Sequence, residues 1–140
     1  MFWGLFYKFF NICSRKNRSC VITRPKKIVE YENSENLKIV SYNIDGLFAH
    51  YKHLNYVNIS KYIRYLFMEE KIDILCLQEV WEISIEKMIK EKLNDLNLYY
   101  AKPPTNLKYF IGENSGLLTI SRYPILDSDF QKFSDLNFTC

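Results

Sequence analysis

LKIVSYNIDGL at 37–47 and IDILCLQEVW at 72–81 are two short apolar runs, each ending in a polar group: the amide of Asn43 and the carboxylate of Glu79. Between them Ile59, Ile63, Leu66 and Phe67 form one stripe at helical period, which predicts a helix over 57–70. Strand, helix, strand over that length is a βαβ unit, and its crossover makes the two strands parallel. Asn43 and Glu79 then leave the same edge of one sheet. They sit at the strands' carboxyl ends, where open α/β sheets bind ligands. Both side chains suit phosphate chemistry, so the spacing makes a candidate site of two ordinary residues.

Outward from this unit the pattern continues. The first strand, 37–43, is nearly all apolar or β-forming; Lys38 and Ser41 are too few for a clean alternation, so burial on both faces is expected. The second strand covers 72–78, and Gly46 marks a turn in the loop after the first. A second helix is predicted over 83–96, with Ile85, Met88, Ile89, Leu93 and Leu96 inward and Glu86, Lys87, Lys90 and Glu91 on the wet side. A short strand at 98–101, a loop opened by Pro103 and Pro104, and a strand at Gly116–Ser121 follow. Arg122-Tyr123-Pro124 stops that strand, and 125–133 reads as extended. Strands and helices alternate, which is the α/β class.

At 140 residues the chain is one domain at most. Residues 1–35 read as an apolar and basic leader with a linker, expected to be poorly ordered, and 36–140 as the globular part. Charge is split accordingly: residues 1–32 carry seven basic and two acidic side chains, residues 33–140 twelve and fourteen. The globular part is slightly acidic, which argues against tight nucleic-acid binding. MFWGLFYKFFNIC at 1–13 is too short to span a bilayer, and Lys8 interrupts it. Its rings and the RKNR and RPKK that follow suit an interfacial membrane anchor; the alternative is a leader with no membrane role. Cys13, Cys20, Cys76 and Cys140 lack zinc-ligand spacing and a disulfide framework, so reduced thiols and an intracellular setting are expected, with Cys76 as a small core residue.

The order YNIDGL, LQEVW, NSGLLTISRYPI resembles the endonuclease/exonuclease/phosphatase superfamily. The Q-E-V-W after an apolar strand, with S-R-Y-P-I about forty residues later, looks most like its neutral sphingomyelinase branch. The resemblance covers roughly residues 36–138, about the first half of such a domain. It implies an incomplete four-layer α-β-β-α sandwich and a Mg2+-dependent phosphodiesterase chemistry. On that resemblance Glu79 is the carboxylate that holds the metal, and Asn43 the amide beside metal and scissile phosphate. Asp45 and Arg122 are second-tier candidates: Asp45 approaching from the loop, Arg122 from the site rim. Mg2+ typically takes oxygen ligands, several waters and only one or two carboxylates, which such a pair fits.

The sequence departs from the family downstream. The family's Ser-Asp-His does not occur, no Asp-x-Asn stands where the family has it, and DSD at 127–129 is no substitute. The two histidines, His50 and His53, fall in the loop after the first strand. The expected reading is therefore the amino-terminal half of a phosphodiesterase acting on a phospholipid or another phosphodiester, inactive alone. The alternatives are a non-enzymatic membrane-surface or adaptor protein, and a nuclease-like member of the same superfamily. Gln78 is expected to point away from Glu79, Trp81 to be wedged under the second helix, and Tyr99 and Tyr100 to pack.

Overall fold

The computed structural model describes residues 20–27, 36–46, 53–104 and 115–130. The leader before Cys20, His50 and the extended stretch beyond Phe130 lie outside the described residues. Among these residues five strands and two helices follow in chain order: β1 (Val21–Thr23), β2 (Ile39–Asn43), α1 (His53–Met68), β3 (Ile74–Val80), α2 (Ile83–Lys92), β4 (Tyr99–Lys102) and β5 (Gly116–Ser121). The strands make one mixed sheet in the order β1-β4-β5-β3-β2. β2 and β3 are parallel, from Ile39 opposite Ile74 to Asn43 opposite Gln78, and α1 is the crossover between them. The other three pairings are antiparallel. The class is α/β, as the alternation of elements indicates.

The stripes named in the sequence form the core. Ile63, Leu66 and Phe67 of α1 meet Ile85 and Ile89 of α2, with Leu93 just beyond. Beneath them lie Leu75, Leu77 and Val80 of β3, Leu118 and Ile120 of β5, and Tyr100 of β4. Each such side chain contributes roughly 1.5–3 kcal/mol by leaving water. α1 and α2 pack on each other over this face. The opposite face is more open: Ile39 is 60% exposed and Leu117 46%.

Four expectations are corrected. β2 is a border strand whose residues alternate between exposed and half-buried, not one buried on both faces; apolar composition does not reveal where a strand stands in a sheet. The sheet begins inside the expected linker, because Val21–Thr23 pairs with β4 and the Cys20 amide donates to the Ser128 carbonyl at 3.1 Å. α2 stops at Lys92, and its Glu86 is buried. Cys76 is half-buried, since in β3 it alternates with the buried Leu75 and Leu77 and stands on the open face.

Candidate functional site

Parallel pairing brings Asn43 and the end of β3 to one edge, and a bulge aims the carboxylate. Leu77 stands opposite Leu118, but Val80 stands opposite Gly116, so β3 carries one residue more than β5 over this stretch. Both Leu77 and Val80 stay buried. The extra residue takes Glu79 out of the alternation that would send it into the core. Glu79 has φ +64°, a left-handed backbone that costs a side-chain-bearing residue about 1–2 kcal/mol. Such outliers cluster at functional sites.

Asn43 meets it. The Asn43 Nδ2 donates to Glu79 Oε1 at 2.7 Å, across a sequence separation of 36. The other end of that amide is held too, because Asn43 Oδ1 accepts from the Asp45 amide at 2.9 Å. Asp45 has φ +52° and so turns the chain sharply after β2. The Ile44 amide carries the parallel ladder one step further, donating to the Gln78 carbonyl at 3.1 Å. Tyr56 of α1, 2% exposed, donates its hydroxyl to the Asp45 carbonyl at 3.0 Å. Gly46 lies against the Glu79 peptide, where a Cβ would stand 1.7 Å from the carbonyl oxygen. The turn glycine of the sequence is thus a close-approach glycine, a role that only a long-range contact reveals.

The remaining sequence candidates divide. Asp45 enters the site through its backbone, as a turn residue. Gln78 is engaged across the sheet, its Nε2 3.1 Å from both Ser41 Oγ and the Cys76 carbonyl. Arg122 is not at the rim. β5 runs antiparallel to β3, so Ser121 stands opposite Ile74 and Arg122 lies at the far end of the sheet from Glu79. There its guanidinium donates to the carbonyls of Ile72, at 2.7 Å, and Phe67, and lies 5.6 Å from the centre of the Phe67 ring. It closes the carboxyl end of α1. His53 begins α1. Trp81 packs its six-membered ring on Gly116, where a Cβ would come within 2.9 Å, and Gly116 has φ +77°. Among the described residues its buried Nε1 has no hydrogen-bond partner.

A second charged cluster joins α2 to β4. Glu86 accepts from Lys90 Nζ and from Lys102 Nζ, each at 2.6 Å. Burial pushes the Glu86 carboxyl up, but the hydrogen bonds from Lys102 and Lys90 and their charges outweigh it and hold the group below the ordinary glutamate range. Lys90 also lies 5.1 Å over the ring of Tyr100, whose hydroxyl is pushed up to about 12 by burial and, less, by Asp95. Both lysines are engaged by the one carboxylate, so the cluster reads as a clasp, not a binding site.

Clefts of about 270 and 440 Å3 lie between α1 and α2 and between α2 and Lys102, away from Asn43 and Glu79. The pair stands on an open sheet edge instead. Among the described residues no three His, Cys, Asp or Glu side chains converge as a metal cluster. The donor chemistry still fits a sparsely liganded Mg2+, which needs one or two carboxylates. Glu79 supplies one, and among the described residues no hydrogen bond reaches its Oε2. No protein-family model, curated protein or solved structure matches the chain.

Proposed function

We propose that this sheet and its helices are one half of a four-layer α-β-β-α sandwich of the endonuclease/exonuclease/phosphatase type. Asn43 and Glu79 are then the metal-and-phosphate corner of a Mg2+-dependent phosphodiesterase, sphingomyelinase-like in its substrate class. The observation that carries this reading is the 2.7 Å bond between the two side chains at the carboxyl ends of adjacent parallel strands. The layering is supported by the helices packing over one face while Ile39 and Leu117 stay exposed on strands of the same sheet. Apolar groups of that kind are what a second sheet covers.

In this reading Glu79 would hold the cation through its carboxylate. Asn43 keeps one Nδ2 hydrogen on Glu79 and offers the second to a phosphate oxygen. The chemistry that Mg2+ would supply there is neutralisation of charge developing on the phosphoryl oxygens. Neither residue is a base for water, nor a cationic donor to the leaving group; a second half supplies both. A phospholipid is favoured over nucleic acid because residues 33–140 carry twelve basic and fourteen acidic side chains. The aromatic and basic leader would hold the domain at a membrane surface inside the cell. No helix among the described residues is long and apolar enough to cross a membrane.

The test compares the chain with Glu79→Gln for Mn2+ binding, as a paramagnetic stand-in for Mg2+, and for phosphocholine release from sphingomyelin vesicles. Expected are Glu79-dependent binding and no release. Binding that is unchanged in Glu79→Gln sinks the metal reading, and Glu79-dependent release sinks the half-site reading. Vesicle flotation with and without residues 1–19 tests the leader; β1 must be kept, since it belongs to the sheet.

A further inference from the structure

We infer that Gly46 and Tyr56, which touch neither cation nor phosphate, are positioning residues that hold the Glu79 carboxylate against Asn43; this rests on the reading of that pair as a metal-and-phosphate corner. A Cβ on Gly46 would stand 1.7 Å from the Glu79 carbonyl oxygen and 2.9 Å from its carbon. Both are backbone atoms, so no flexible side chain can yield. The gap must open from 1.7 Å to at least 3.0 Å before any side chain fits. The peptide that would move is the one whose left-handed φ aims the carboxylate. Gly46 is thereby a seat for the bulge.

Tyr56 works from the other side. Its ring is buried in the core, and its hydroxyl fixes the Asp45 carbonyl at 3.0 Å. The Asp45 amide in turn fixes Asn43 Oδ1 at 2.9 Å, and Asn43 Nδ2 fixes Glu79 Oε1 at 2.7 Å. From Tyr56 to Glu79 the residues are joined by three hydrogen bonds through the Asp45 backbone and the Asn43 amide, and Gly46 closes the circuit on the Glu79 peptide. A helix packed in the core thus sets the orientation of two exposed side chains. Outer groups of this kind typically change metal affinity 10- to 100-fold when removed.

The experiment uses the full chain, labelled with nitrogen-15, and its Gly46→Ala, Tyr56→Phe and Glu79→Gln variants. Three quantities are read: the shift difference between the two Asn43 Nδ2 protons, the affinity for Mn2+ alone, and the urea midpoint. In the unmodified chain the proton donated to the carboxylate stands downfield of its geminal partner, and Glu79→Gln narrows that difference. Gly46→Ala is expected to narrow it likewise and to weaken Mn2+ binding roughly 10- to 100-fold. Tyr56→Phe does the same to a smaller degree, about 10-fold in affinity, with the Arg122 Nε resonance at the other end unmoved.

A folded Gly46→Ala that keeps both the Asn43 shift difference and the Mn2+ affinity overturns the inference. Should Gly46→Ala fail to fold, Tyr56→Phe decides: unchanged on both readouts, it overturns the inference. A chain that shows the Asn43 signature but binds no Mn2+ refutes the metal reading alone. The signature in the two variants then still upholds or refutes the positioning.

Discussion

Replacing Glu79 by glycine and, separately, by alanine isolates the conformational strain at the bulge. Both changes delete the carboxylate and its bond to Asn43, so those losses cancel in the comparison. What differs is the backbone. At φ +64° alanine carries a left-handed penalty of about 1–2 kcal/mol that glycine does not. In an ordinary strand the order is the reverse, with glycine less stable than alanine by roughly 0.5–1 kcal/mol. The structure therefore sets the sign: Glu79→Gly is expected to be more stable than Glu79→Ala by about 1 kcal/mol. The two alternatives lie about 1.5–2 kcal/mol apart. Urea unfolding followed by far-ultraviolet circular dichroism resolves that gap, provided the two variants share one m-value. An alanine variant as stable as the glycine variant, or more so, refutes the bulge geometry and with it the aim of the carboxylate.

Glu86→Gln leaves Lys90 and Lys102 facing a neutral amide. A loss of about 2 kcal/mol is expected at pH 7, less than for a sealed pair because both lysines keep some solvent contact. Folding lowers the Glu86 pKa, so its contribution is present above the unfolded value and is lost as pH falls. The gap to the unmodified chain should close progressively below about pH 4, read as urea midpoints across pH. Arg122→Met removes the donors to the Ile72 and Phe67 carbonyls and should lower stability by about 2 kcal/mol while leaving Mn2+ affinity unchanged. Gly116→Ala combines a left-handed φ with crowding against the Trp81 ring; about 2–4 kcal/mol of destabilisation and a shifted Trp81 emission are expected in a Trp3→Phe background.

The βαβ unit was legible because its signals are local. Helical period placed Ile63 and Phe67 inward, apolar runs placed β3 and β5, and a parallel crossover brought Asn43 to Glu79. What stayed hidden depends on partners distant in sequence. Arg122 ends a strand just as Glu79 does, but nothing in SRYPI says that β5 runs antiparallel to β3, and direction alone decides which end of the sheet it occupies. Glu86 occupies a position that reads as solvated on a helical wheel. It is buried because Lys102, sixteen residues on, reaches it from β4. A three-residue strand such as Val21–Thr23 is too short to show any period. The bulge at Glu79 has no signal either, since the usual mark is a glycine and here the residue is a glutamate.

The pairing of β1 with β4 has a mechanical consequence. Tension applied to the chain upstream of Cys20, as a surface-bound leader would apply it, enters the sheet at β1, the border opposite β2. Only three residues, Val21 to Thr23, pair there with β4, against five in the ladder between β2 and β3. The short ladder is the one loaded first and the one expected to yield first. Once it yields, the tether lengthens by the chain between β1 and β2, and the load then passes to β2, the next strand in sequence and the one that carries Asn43.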